Sequence, residues 1–283
     1  METFASGVKG HYYGKGDVIV YRLTRSGTPS GGASPVFGAN VLMLVYGDAF
    51  WPTYTTGDNT ALVATDSMKN FIQRETLNFQ GHDYEGLCRF LATRFLDTYA
   101  QVEGVQVTAS EIPYSGLEGS AVAFSTGGPE RALSRIELTR GRIVEAMSGI
   151  RGFRLLRLGG SSFHGFIRDQ YTTLPDITNR PLHMWLDLEW RYLQHDAAFS
   201  DGAVTARVRR LVRDVFSSFE SGSIQQLIYQ MGSTLLASEP SIAEVHLEAN
   251  NRTWDTIAEQ GDVLGVFTDP RPPYGCLGLS LKR

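Results

Sequence analysis

The chain has 283 residues, 42 % of them hydrophobic and 20 % charged, which is the balance of a soluble globular protein with room for two domains. A net charge of -4 gives no reason to expect nucleic acid as a partner. No run approaches the roughly 20 apolar residues of a membrane span, and two cysteines, Cys88 and Cys276, supply neither a disulfide framework nor a metal cluster. The first residues lack a basic-then-apolar secretory pattern and Ser280-Leu281-Lys282-Arg283 is not a peroxisomal address, so the expected compartment is the cytoplasm.

Residues 1–10 read as a terminal arm. From Tyr12 to Thr24 the chain alternates, with Val18 and Val20 on one face and Ile19, Tyr21 and Leu23 on the other, a strand pattern. Residues 26–39, rich in Gly, Pro and Ser, predict an exposed loop, and Val41 to Tyr46 an apolar strand. Ala61 to Ala64 read as a short strand running into Thr65-Asp66-Ser67, residues of the helix-capping type. Met68, Phe71 and Ile72 then recur at helical spacing. A hydroxyl beside the free N–H groups of a helix start is suited to an anionic ligand, although by itself it is also what any capped helix looks like. A second helix spans roughly Tyr84 to Ala100, with Tyr84, Leu87, Leu91 and Phe95 on its apolar face. Strands are expected at Val105 to Ile112, Ser120 to Ser125 and Arg135 to Thr139.

The second half repeats the plan. Leu182, Met184, Leu186, Leu188, Trp190 and Tyr192 alternate with His183, Trp185, Asp187, Glu189 and Arg191, the clearest strand in the chain. Val204, Val208, Leu211, Val212, Val215, Phe216 and Phe219 mark a helix, and Ile224, Leu227, Ile228, Met231 and Leu235 another. Strands follow at Ile242 to Ala249, Val263 to Phe267 and Leu277 to Leu281. Two halves of strands, two helices, then strands, with no helix between successive strands, predict an α+β fold of antiparallel sheets with helices on one face. Residues 11–140 and 141–283 are the expected units. The long sheet edges invite closure into an oligomeric barrel.

Two motifs carry a resemblance. V-A-T-D-S-M-K-N, Val63 to Asn70, and F-H-G-F-I-R-D-Q-Y-T-T-L, Phe163 to Leu174, resemble the signatures of urate oxidases. Y-G-K at Tyr13 to Lys15 and Pro-Tyr-Gly at 273 to 275 resemble that family's first and last strands. Matches of eight and twelve residues in the right order are far more specific than a lone glycine motif. The resemblance implies the tunnelling fold: tandem antiparallel units assembled into a homotetrameric barrel, with active sites at subunit interfaces. It implies no metal and no organic cofactor, an oxidised purine and O2 as reactants, and neither nucleic acid nor membrane as a partner.

It also implies roles. Phe163 matches the ring on which the purine stacks. Arg180 matches the arginine at the C2 oxygen and N3 edge, and Gln225 the glutamine that pairs with the opposite edge through an amide that both donates and accepts. Ile224 offers a backbone N–H, while Asp66, through its backbone, and Thr65 meet the imidazole-ring side. Lys15 and Thr65 match a proton-relay pair, and Asn250 matches the asparagine that holds O2 or water above the ring. Without the resemblance these would read as a core phenylalanine and solvated surface groups. The sequence departs from the family at Asn250-Asn251-Arg252, where Asn-Lys-His is usual. Arginine neither loses a proton nor accepts a hydrogen bond, so Arg252 cannot perform a histidine's proton exchange, and a charge that steadies an anionic purine is the role expected of it. Arg157-Leu158-Gly159 likewise replaces a usual Lys-Ser-Thr.

The expected activity is cofactor-free oxidation of an 8-oxopurine by O2, giving a 5-hydroxylated or ring-opened product and hydrogen peroxide. Urate is the first substrate to consider and 8-oxoguanine the second. A non-oxidative purine or pterin hydrolase or isomerase of the same fold, or a non-catalytic purine-binding homologue, are the alternatives. The glycosylation sequon Asn251-Arg252-Thr253 lacks an accompanying export signal, and no pair among the six histidines has helical metal-ligand spacing.

Overall fold

A computed structural model describes residues 10–25, 34–261 and 263–283. The chain divides into two compact units, one of residues 1–149 with 191–202 and one of 150–190 with 203–283. In chain order the first contains β1 (Tyr13–Leu23), β2 (Val36–Tyr46), α1 (Trp51–Thr55), α2 (Thr65–Glu75), α3 (Tyr84–Thr98), β3 (Gly104–Glu111), β4 (Tyr114–Gly116), β5 (Phe124–Thr126) and β6 (Arg131–Thr139). β7 (Arg142–Arg157) and β8 (Leu182–Tyr192) run from one unit into the other, and the second adds α4 (Val204–Ser218), α5 (Ile224–Ser238), β9 (Ile242–Asn251), β10 (Thr256–Gln260), β11 (Leu264–Phe267) and β12 (Gly275–Lys282).

In the first unit β1, β2, β3 and β6 pair antiparallel in that order, with β7 beside β6. Pairs such as Val20 with Ala39, Val41 with Ala109 and Val107 with Ile136 set the register. Alternation sends Met43, Val45, Val107 and Ile136 into the core, to which α3, packed on β3 and β6, adds Leu87, Leu91 and Phe95, all fully buried. Gly14 is required by this pairing, because a Cβ there would collide with the Met43 carbonyl oxygen. α3 starts on Asp83, whose carboxylate accepts the Gly86 N–H at 2.6 Å, a standard N-cap. Buried polar groups are paired: Tyr46 donates to Glu137 at 2.7 Å, and Ser148 bonds both Glu85 and Tyr192.

In the second unit the sheet order is β7, β8, β9, β12, with Leu247 opposite Leu279 and Asn250 opposite Cys276. The even-numbered residues of β8, Leu182 to Trp190, are buried, and the odd-numbered ones are half-buried on the other face. α4 buries Val204, Val208, Val212, Val215 and Phe216, while α5 buries Leu227, Ile228, Met231 and Leu235 and lies on β9 and β12. α5 approaches closely at Gly232, where a Cβ would come 2.9 Å from Leu281 and 3.1 Å from Leu247. Ser223 caps α5 by accepting the Gln226 N–H at 3.1 Å.

The α+β architecture of antiparallel sheets with paired helices is as expected, but several local expectations give way. Ala61 to Ala64 is a turn and extended coil rather than a strand. Its donors go elsewhere: Leu62 N–H bonds Asn59 O, and Val63 N–H bonds the Tyr13 hydroxyl at 3.0 Å. Thr65-Asp66-Ser67 does not cap α2; the helix begins at Thr65 itself, with Ala64 as the cap residue and no side-chain cap bond. Of Ser120 to Ser125 only the end is strand, paired as β5 with β4, because Ser120 Oγ accepts two backbone N–H groups in a turn. The strand β7, the hairpin strand β10 and the helix α1 appear where none was expected. Residues 1–9 of the arm and 26–33 of the loop lie outside the described residues, and from Val36 the expected loop is already strand. Among the described residues no helix is long and apolar enough to cross a membrane.

The two capped helices give a direct check. Asp83→Ala and Ser223→Ala should each cost about 1 kcal/mol, read as a lower urea midpoint at unchanged slope.

Candidate active site

The first unit brings together Lys15, Thr65 and Asp66. Lys15 sits on β1 at a register break between Lys15 and Val18, where Asp17 has φ +54. Such bulges re-aim neighbouring side chains. α2 packs on β1, and Tyr13, edge-on to Phe50 at 5.0 Å, holds Val63 two residues before the helix start. Because no side chain caps α2, the N–H groups of its exposed first turn keep their donor capacity and the positive end of the helix dipole. Lys69, 2.5 Å from Asp66, holds that carboxylate below its usual range, and Lys15 adds to the effect from further away. The same unit has a cleft of about 620 Å³ lined by Arg89, Asp97, Arg140, Arg142 and His195, which includes none of the expected site residues.

The second unit brings together Phe163, Arg180, Ile224 and Gln225. Phe163 exchanges two backbone hydrogen bonds with Ile177, at 2.7 and 2.9 Å, and stacks on Phe166 with centroids 5.0 Å apart. Arg180 donates its backbone N–H to Ser161 and places its guanidinium 5.8 Å from the Phe163 ring centre. Burial pulls its pKa below the ordinary arginine value, and its Nε is buried with no hydrogen-bond partner. Ser161 pairs with Ser221 and Ser162 donates to Ser221 O at 2.9 Å, which sets the Phe163 segment beside the start of α5. There Ile224 is buried and Gln225 exposed, both in the first turn.

Arg157 ties these pieces. Its guanidinium donates to Phe216 O, Phe219 O, Gly160 O and Ser221 Oγ at 3.1, 2.6, 2.6 and 2.7 Å. One side chain thereby joins the end of α4 to the loop carrying Phe163 and to the approach to α5.

Asn250 is one of the last two residues of β9 and Arg252 directly follows the strand, with Arg252 N–H bonded to His183 O at 2.9 Å. The Arg252 guanidinium lies 3.7 Å from the centre of Trp185 and 4.1 Å from that of Tyr274. Its Nε is also buried without a partner. Cation–π contacts of this kind contribute about 0.5–2 kcal/mol each. Burial, then Arg154 and Arg252, push the pKa of His183 down, which keeps its imidazole neutral. Among the described residues no group of three His, Cys, Asp or Glu side chains could hold a metal ion.

Comparison with known proteins decides the family. The sequence profile described as Uricase matches residues 11–132 and 146–276. The chain belongs to the uricase family. It is 40 % identical to the Bacillus subtilis uric acid degradation bifunctional protein PucL over 96 % of its own length and 60 % of that protein's, so it spans less than two thirds of this bifunctional relative. It is 36 % identical to the Haloferax volcanii uricase, covering 96 % of this chain and 97 % of the other. The crystal structure of Bacillus sp. TB-90 urate oxidase superimposes with a TM-score of 0.88 at 35 % identity, covering 97 % of this chain and 100 % of that one.

In this uricase-family chain, several residues around the candidate site escape a reading by motif. Tyr13 and Tyr274 stand inside the Y-G-K and Pro-Tyr-Gly motifs and Trp185 in a clearly alternating strand, but which cross-strand or loop group each meets is not written there. Arg157 stands out in the sequence only as a departure from the family. A half-buried cation among backbone carbonyls has no sequence signature.

Arg157→Met should leave those carbonyls without a donor and destabilise the protein by on the order of 2–4 kcal/mol, measured by chemical denaturation. Arg157→Lys should restore only part of this, since an ammonium lacks the planar fork.

Proposed function

We propose that the chain catalyses oxidation of urate by O2, using no metal and no organic cofactor. Two electrons pass from the purine to O2, water supplies the hydroxyl at C5, and hydrogen peroxide leaves. The observation that carries this reading is Arg180. It is a half-buried guanidinium without an acidic partner among the described residues, held 5.8 Å from the ring of Phe163. A planar, oxygen-edged anion suits that pair: the ring stacks on Phe163 and the C2 edge accepts from the arginine fork. Ile224 N–H and the Gln225 amide complete the recognition of the ring edge.

The chemistry belongs to Lys15 and Thr65, a base acting through a hydroxyl, with the Asp66 backbone at the imidazole-ring side and Asn250 holding O2 or water. Arg252 supplies fixed positive charge where relatives carry a histidine. Lys15, Thr65 and Asp66 belong to one compact unit and the purine-recognition residues to the other, and the proposed chemistry calls on both groups. A homotetramer of tandem tunnelling-fold halves, residues 11–140 and 141–283, is the assembly that goes with this reading. The division into halves goes with the two segments that the Uricase profile matches, 11–132 and 146–276. Arg180 favours urate over 8-oxoguanine, whose 2-amino group would present a donor to a side chain that only donates.

The deciding test is an oxygen electrode. Metal-free protein should consume O2 with urate and release peroxide, and zero uptake with every 8-oxopurine would replace this reading with a non-oxidative or purely binding homologue. Lys15→Met should lower kcat by about 100- to 10,000-fold while changing urate binding much less. Unaltered turnover would remove Lys15 from the mechanism. Sedimentation should give a tetramer, and a fully active monomer would refute the shared site.

A further inference from the structure

Four side chains of the second unit form a row: Arg154 on β7, Trp185 on β8, Arg252 one residue after β9 and Tyr274 one residue before β12. Arg154 lies 4.6 Å and Arg252 3.7 Å from the Trp185 ring centre, and Arg252 lies 4.1 Å from that of Tyr274. The order of the row is the hydrogen-bonded order of the strands, β7, β8, β9, β12. With strands about 4.8 Å apart, the arrangement is a cross-strand stack in which cations and rings alternate. Arg252 therefore has a ring on each side, and Trp185 has a guanidinium on each side.

Three consequences follow from the chemistry. A guanidinium covered on both faces can contact a further group only through its in-plane N–H donors, so it meets a ligand edge-on and cannot stack on it. Rings held on either side of the chain that follows β9 fix the direction of those donors before a ligand arrives, which lowers the ordering cost of binding. No carboxylate forms an ion pair with Arg252 or Arg154 among the described residues, so the positive charge is not cancelled within the row. The nearest imidazole, His183, is held neutral by burial and by these two arginines and does not compete for an anion as a second cation.

We infer that Trp185 and Tyr274 are positioning residues that clamp Arg252 as a pre-oriented cation, and that the clamp selects the anionic form of the purine over neutral purines of the same shape. Asn250, on β9 two residues before Arg252, places the clamp beside the group assigned to O2 or water. This inference rests on the proposed purine site and adds a determinant of charge selectivity to it.

The experiment compares binding of urate, an anion at neutral pH, with binding of neutral 8-oxoguanine, measured anaerobically so that neither is consumed. The proteins are wild type and the Arg252→Gln, Arg252→Lys, Trp185→Leu, Trp185→Phe, Tyr274→Leu and Tyr274→Phe variants, each checked for wild-type thermal unfolding. Wild type should prefer urate. Arg252→Gln should lose about tenfold or more of the urate-to-8-oxoguanine affinity ratio, and each leucine variant should lose part of it although Arg252 remains. The phenylalanine variants should retain the ratio, because a flat ring is preserved, and Arg252→Lys should not restore it, because an ammonium has no faces to clamp. If a leucine variant fails to fold, the phenylalanine and Arg252 variants still decide. An unchanged ratio in Arg252→Gln would overturn the inference, as would leucine variants that match wild type while Arg252→Gln does not. Failure of the wild-type protein to oxidise urate in air would be a failure of the proposed activity and is read separately, since the affinity ratio does not depend on turnover.

Discussion

A sheet with helices on one face must send every second side chain to the other face, and the candidate site depends on what those outward residues are. In β8 the inward set is wholly apolar and buried, from Leu182 to Trp190, while the outward set contains His183, Trp185, Asp187 and Glu189. A slip of one residue would exchange the two sets, so burial of the apolar set fixes where Trp185 lies and hence where it meets Arg252. The same logic in β1 sets the position of Lys15, modified by the bulge that follows it. The chemistry is placed by residues that take no part in it.

Two arginines of the second unit show how one residue type serves opposite ends. Arg157 has four hydrogen bonds to carbonyls and a hydroxyl, which leave only its Nε without a partner. Arg180 is held close to an aromatic ring, and its Nε is likewise buried without a partner, but none of those compensating bonds accompanies it. Both lose hydration on burial, and for both the charged form is correspondingly disfavoured. The first is compensated by the protein. The second is left for something the protein does not contain, which is the physical signature of a binding group rather than a structural one.

Much of the fold was legible because the signals were periodic and long. The alternation of β8 and the apolar stripes of α3, α4 and α5 are written in residues that the core then buries. β7 is illegible for the opposite reason: Arg142, Glu145, Arg151, Arg154 and Arg157 interrupt its pattern, and ion pairs such as Glu145 with Arg191 and Arg151 with Glu189 join it to a strand distant in sequence. Ala61 to Ala64 looked like a strand because four apolar residues leave local choice open, and a tyrosine 50 residues earlier took the Val63 donor that a ladder would need. For the candidate site, the motifs contain Lys15, Thr65, Asp66 and Phe163, while Arg180 rests on the family resemblance alone. The stack around Arg252 has no such signal, since its members come from four separate stretches of chain and meet only through sheet order.

The close approach at Gly232 has a bearing on how far the site extends. Gly232 lies two turns beyond Gln225 on α5, roughly 10 Å along the helix axis, and the absent Cβ is what lets the helix settle against Leu247 and Leu281. Helices move as rigid bodies more readily than they bend, so a shift of a few tenths of an ångström at that contact travels to the first turn with little loss. The setting of Gln225 relative to the Phe163 segment is therefore governed by a core contact beneath the helix as much as by anything in its own neighbourhood. Variation in leucine and glycine positions that never meet a ligand is, if Gln225 has the proposed role, a route by which recognition can drift.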